Sequence, residues 1–232
     1  MPAPHYLYIS ILFFSILFPF ILSFIKPILF YKKWKALLTA HILVAIFFCI
    51  WDIFFTYWGV WGFNPTYIVG LYLINLPIEE VLFFISIPYC CLFIYENINH
   101  FMSLKALPRN LYGGLAIACL VPAVIYYDHL YTSVNIGICA LLLGYMYFQP
   151  KKYYTNFLLS FAISLIPFFI VNGMLTGGFT SEPVVWYDNH QNLGIRIGSI
   201  PVEDIFYGFN LLFLNTLVYE YFKKKWLLTT SH

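Results

Sequence analysis

Residues 71–95 read LYLINLPIEEVLFFISIPYCCLFIY, and residues 195–219 read IRIGSIPVEDIFYGFNLLFLNTLVY. Both are largely apolar stretches of membrane-crossing length that carry adjacent carboxyls behind a proline. Leu76-Pro77-Ile78-Glu79-Glu80-Val81 aligns with Ile200-Pro201-Val202-Glu203-Asp204-Ile205 at an offset of 124, and Gly70 with Gly194 and Tyr95-Glu96 with Tyr219-Glu220 fall at the same offset. Upstream, after a loop of different length, Asp52 and Thr56 match Asn172 and Thr176. Two matched blocks in one order indicate duplication, with spans 1–3 repeated as spans 5–7.

Outward from these stretches the chain is apolar almost throughout. It is 62% hydrophobic and 9% charged, against about 45–50% apolar and about 25% charged in soluble domains. Apolar segments lie near 5–25, 36–58, 71–95, 111–127, 130–148, 153–175 and 200–222, each close to the roughly 20 residues that cross a bilayer. The fold class expected is therefore an all-α integral membrane protein of about seven transmembrane helices. Its first repeat is 1–110, helix 4 (111–129) is the connector, and the second repeat is 130–232. Three crossings plus one between equivalent spans make the repeats parallel, related by an axis along the membrane normal. No basic n-region precedes the first stretch, so 5–25 is expected to be a retained span rather than a cleaved signal.

Basic residues orient the chain. Lys26, Lys32, Lys33, Lys35, Lys105, Arg109, Lys151, Lys152, Lys223, Lys224 and Lys225 fall on one side and Arg196 alone on the other, eleven against one. The bias predicts a multi-pass protein of the cytoplasmic membrane, N-terminus outside and C-terminus in the cytoplasm. A net charge of +2 gives no reason to expect nucleic acid.

With that orientation Asp52, Glu79, Glu80, Glu203 and Asp204 share one depth in the outer leaflet, and Asn172 joins them. Ionisable groups there cost several kcal/mol unless they face a partner or a wet cavity, so function is the default reading. Adjacent carboxyls in an apolar pocket are expected to keep one proton between them, the condition for acid catalysis on a hydrocarbon. The competing reading starts spans 3 and 7 at Pro77 and Pro201 and makes the acids first-turn caps. Glu96 and Glu220 are expected to close spans 3 and 7 at the cytoplasmic surface, reaching into water.

The duplicated Pro-x-Glu-(Glu/Asp) motif in a small multi-span chain resembles the membrane-integral microbial lycopene cyclases, in the form that fuses two half-size subunits in tandem. The resemblance covers nearly the whole chain, with no synthase domain expected past His232. It implies conversion of lycopene to β-carotene through γ-carotene without net redox change. An acid protonates the terminal double bond, the next alkene attacks the tertiary cation, and a base removes a ring proton. Glu79, Glu80, Glu203 and Asp204 are the candidate catalytic residues, with Asp52, Asn172, Thr56 and Thr176 supporting them. Trp51, Tyr57, Trp58, Trp61 and Tyr72 are candidates for cation stabilisation through their π faces, against a plain interfacial belt. Lycopene and membrane lipid are the expected partners, and no obligatory partner subunit is expected because both halves are present.

Other classes fit less well. A retinal protein needs a lysine deep in span 7, and residues 200–222 hold none. The histidines are isolated rather than clustered for di-iron, and no Gly-x-Gly-x-x-Gly suggests a nucleotide cofactor, so neither metal nor cofactor is expected. The five cysteines lie in apolar runs and read as core hydrophobes. A small proton-coupled transporter is the alternative from another class, and a carotenoid cyclase of different ring type the alternative within the family. The outer loop 176–198, with Glu182, Trp186, Asp188, His190 and Arg196, is expected either to cover the acidic layer or to stand in solvent as a hairpin.

Overall fold

The computed structural model describes residues 4–229; the ends of the two expected repeats, 1–3 and 230–232, lie outside the described residues. Among the described residues there are seven α-helices: α1 (Leu7–Leu22), α2 (Trp34–Tyr57), α3 (Ile78–Phe101), α4 (Arg109–Ile125), α5 (Leu130–Phe148), α6 (Tyr153–Leu175) and α7 (Glu203–Thr229). α1 and α2, each taken with the 3-10 turn before it (Pro4–Leu22 and Phe30–Tyr57), and α3, α5 and α6 are long and apolar enough to cross a membrane, α4 is a shorter apolar helix of 17 residues, and the chain is a membrane protein.

Spans 3 and 7 begin later than their hydropathy suggests. Residues 71–77 form a hairpin of β2 (Tyr72–Leu73) and β3 (Leu76–Pro77), and 195–201 a matching one of β5 (Arg196–Ile197) and β6 (Ile200–Pro201). The cause is local. Ile74 and Gly198, equivalent at offset 124, both have positive φ, 62° and 64°, the left-handed conformation that turns a chain and ends helix. The proline then seats the helix start. The helices thus start where the capping alternative places them, yet the acids of their first turns are buried.

The repeats pack as a pseudo-twofold. α1 packs on α3 as α5 packs on α7, and α2 packs on α7 as α6 packs on α3, while α4 lies against α5. At one end of the axis β1 (Trp61–Phe63) pairs antiparallel with β4 (Val185–Tyr187), centred on Gly62 opposite Trp186. A Cβ on Gly62 would lie 2.3 Å from the Trp186 ring, so glycine lets that ring lie flat across the crossing and any side chain would displace it. At the other end the halves exchange hydrogen bonds: Tyr95 donates to Glu220 at 3.0 Å and Tyr219 to Glu96 at 2.9 Å. Lys223 joins both carboxylates, 2.6 Å from Glu96 and 3.1 Å from Glu220, and Lys33 pairs with Glu96. Glu96 is therefore buried rather than reaching into water. It lies five residues before the end of α3, where one lysine from its own half and one from the other satisfy it instead of solvent.

Candidate active site

Each hairpin fixes the first turn of the helix after it. The Ile78 N–H donates to Leu71 O at 2.8 Å, and the Val202 N–H to Ile195 O at 3.0 Å. The first acid of each motif is turned back onto its own loop. Glu79 Oε1 accepts from the Val69 N–H at 2.7 Å, and Glu203 Oε1 from the Leu193 N–H at 2.8 Å, again at offset 124. Thr132 adds a bond of 2.7 Å to Glu203. Both glutamates are fully buried, and both hold backbone.

The second acid of each motif points the other way, because neighbouring helical positions diverge by about 100° around the axis. Glu80 and Asp204 both line one cavity of about 220 Å³, formed largely by α1, α3, α6, α7 and the paired strands β1 and β4. Asp52 and Asn172 line it too. The first half of the chain therefore delivers two carboxyls to a common space, Asp52 and Glu80, and the second half one, Asp204.

The surroundings of the two carboxyls differ. Tyr8 donates to Glu80 Oε2 at 2.6 Å, Tyr207 donates to Asp52 Oδ1 at 2.7 Å, and the Asp52 and Glu80 carboxyls lie within reach of each other in the cavity wall. Two adjacent buried carboxyls repel when both are ionised, so the pair favours the state in which one holds a proton. Asp204 has no acidic partner of that kind, because its neighbour on α6 is Asn172. Its oxygens accept from Tyr131 at 2.6 Å, Asn172 at 2.7 Å and Tyr187 at 3.0 Å. Three donors aimed at one carboxyl form the acceptor-only set of an ionised group. Burial and the negative charge of Asp204 push the Tyr187 phenol well above its ordinary value, so it remains a donor.

Aromatic rings wall the acidic layer. Trp61 lies 5.1 Å from Tyr131, 6.2 Å from Tyr187 and 6.0 Å from Tyr207, centroid to centroid, and Trp51 lies 5.3 Å from Tyr207. Of the five aromatics singled out in the sequence, Trp51 and Trp61 are buried here, while Tyr57, Trp58 and Tyr72 are exposed in the manner of a belt. Thr176 bonds Asn172 O at 2.9 Å and lies 2.7 Å from Ser199 Oγ, bracing the second hairpin rather than facing the cavity. Thr56 sits at the matching place on α2, near the point where Asn75 ties the first hairpin to Ile53 O at 2.9 Å. Loop 176–198 covers the acids, since β4 carries Tyr187 onto Asp204.

Four donors to these acids, Tyr8, Tyr131, Tyr187 and Tyr207, were not singled out by sequence reasoning. A signal existed for two of them: Leu7-Tyr8-Ile9-Ser10 and Leu130-Tyr131-Thr132-Ser133 match at an offset of 123.

A family model described as lycopene cyclase matches residues 5–98 and again residues 128–222. The chain belongs to the lycopene cyclase family. The two matched segments coincide with the internal repeat, as a tandem fusion of two half-size units requires. The family makes the chain a carotenoid cyclase, an enzyme acting on a lipophilic carotenoid. No curated protein and no solved structure matches the cyclase.

Proposed function

We propose that this cyclase is a lycopene β-cyclase that works by proton transfer alone, with Asp52–Glu80 as the acid and Asp204 as the base. The observation that carries the reading is the unequal surroundings of the acids inside one cavity: two carboxyls side by side in one half, one carboxyl ringed by three donors in the other. The Asp52–Glu80 pair gives its proton to the terminal C=C of the linear end group. The electron pair of that double bond forms the new C–H bond and leaves a tertiary cation. The neighbouring alkene attacks it, closing the six-membered ring and moving the positive charge into the ring. Asp204 removes a ring proton, and the C–H electrons become the ring double bond. One proton enters and one leaves, so the product is an isomer. Asp204 gives that proton up to solvent, and the pair is reprotonated from solvent before the next ring closure. Trp61 and Tyr207 stabilise the passing cation. Glu79 and Glu203 position the acids by fixing the helix starts.

The same reading places the acidic layer in the outer leaflet of the cytoplasmic membrane, N-terminus outside, on the eleven-to-one basic bias. Because both halves build one cavity, no partner subunit is needed. The test is to express the chain alone in a lycopene-accumulating host and resolve its carotenoids. β-Carotene is expected; unchanged lycopene with the protein verified in the membrane overturns the assignment.

A further inference from the structure

The cavity is long and lies on one side of the pseudo-twofold axis only. Along α3 it runs from Glu80 to Cys91, eleven residues or about 16 Å of helix rise. A smaller cavity shares Cys91 and continues to Tyr95 and Thr216. Ile170 lines the larger cavity and is 53% exposed, which marks an opening on the outer face of α6. Together these form a groove between α3, α6 and α7, with the acids at its outer end.

A perfect twofold would build a second such groove between α7, α2 and α3. It is filled. The cavity wall carries Gly208 and Val171, and their repeat equivalents, at the offsets of 124 and 120 that relate the motifs, are Phe84 and Trp51. Those two rings are buried against Phe48 and Tyr207: Phe48 lies 5.5 Å from Trp51, 5.7 Å from Phe84 and 5.2 Å from Tyr207. The Trp51 and Phe84 rings occupy the volume that valine and glycine leave open on the other side.

We propose that the cyclase has one cyclisation site, whose polyene groove exists because of Gly208 and Val171, and that the one-ringed intermediate leaves this site before its second end is cyclised. This rests on the lycopene cyclase reading. A conjugated polyene is a stiff rod. With one end at the acids and its length along the groove, its other end lies beyond the groove, far from any carboxyl of the acidic layer. Reversal between packed helices is sterically excluded, so the intermediate passes back to the lipid and enters again by its linear end.

The experiment uses membranes containing the full chain, isotopically labelled lycopene and a growing excess of unlabelled γ-carotene. Release predicts that labelled γ-carotene accumulates and that the labelled share of bicyclic product falls in proportion to the dilution. Labelled bicyclic product at an undiminished share, with no labelled γ-carotene, overturns the inference while leaving the cyclase reading intact. No cyclisation of either substrate overturns both. A second arm uses Gly208→Phe, which copies Phe84 into the open groove. Loss of both ring closures at normal membrane protein level is expected. Full activity of Gly208→Phe overturns the groove assignment.

Discussion

Asp204 and Glu203 are chain neighbours of the same charge, yet the structure assigns them opposite sensitivities to the same isosteric change. In Asp204→Asn the amide oxygen still accepts from Asn172 and Tyr187, and the amide nitrogen meets the Tyr131 hydroxyl, which can turn to accept. The lost charge-assisted bonds cost about 1–3 kcal/mol of stability, too little to abolish folding. The amide cannot take a ring proton, however, and removal of a general base costs about 10²–10⁴ in rate. That is roughly 3–5 kcal/mol in the barrier. In Glu203→Gln the carbonyl oxygen keeps its bonds to the Leu193 N–H and to Thr132. The new NH2 falls on Oε2, which has no partner among the described residues. Rate should therefore stay within about tenfold, or 1.4 kcal/mol. The assay is ring formation from lycopene in isolated membranes, normalised to protein by immunoblot. Equal losses in the two variants, or an unimpaired Asp204→Asn, would refute the division of roles.

Tyr187→Phe removes one of three donors from Asp204 and should slow ring closure about tenfold, the worth of one hydrogen bond to a charged group; initial rates in the same membranes check it. Glu96→Gln should leave turnover unchanged but lower stability by about 1–3 kcal/mol, because Lys33 and Lys223 lose their shared counter-ion and are only partly exposed to water. Residual activity after heating detergent-solubilised protein measures that loss. A cysteine at the exposed Ser181 should react with an impermeant thiol reagent in intact cells, and labelling only after permeabilisation would reverse the proposed topology.

Much of this architecture is legible in the sequence because duplication writes the same residues twice. The offset between the Pro-x-acid-acid blocks announces the repeat, and burial of Asp52, Glu79, Glu80, Glu203 and Asp204 follows from their placement in apolar segments. The hairpins were hidden because Leu71–Leu76 is as apolar as the helix after it, and Ile74 in a left-handed turn has no compositional signature. Which acid of each pair faces the cavity depends on rotation about the helix axis, which hydropathy does not encode when neighbours are apolar all round. The pairing of Asp52 with Glu80 is a contact between helices, and Tyr207 reaches Asp52 from the opposite repeat, 155 positions away. Glu96 misled for a similar reason: its position at a helix end suggested water, whereas the lysines that neutralise it come from α7 and the segment before α2.

Ring closure by proton exchange between the Asp52–Glu80 pair, the substrate and Asp204 leaves an isotopic signature when cyclisation is run in D₂O. Membranes containing the full chain are equilibrated in heavy water, supplied with lycopene, and the products resolved by mass spectrometry. Protonation from solvent-exchanged carboxyls predicts one deuteron retained per ring, so that γ-carotene carries one and β-carotene two. Ring products formed without solvent deuterium would contradict the account.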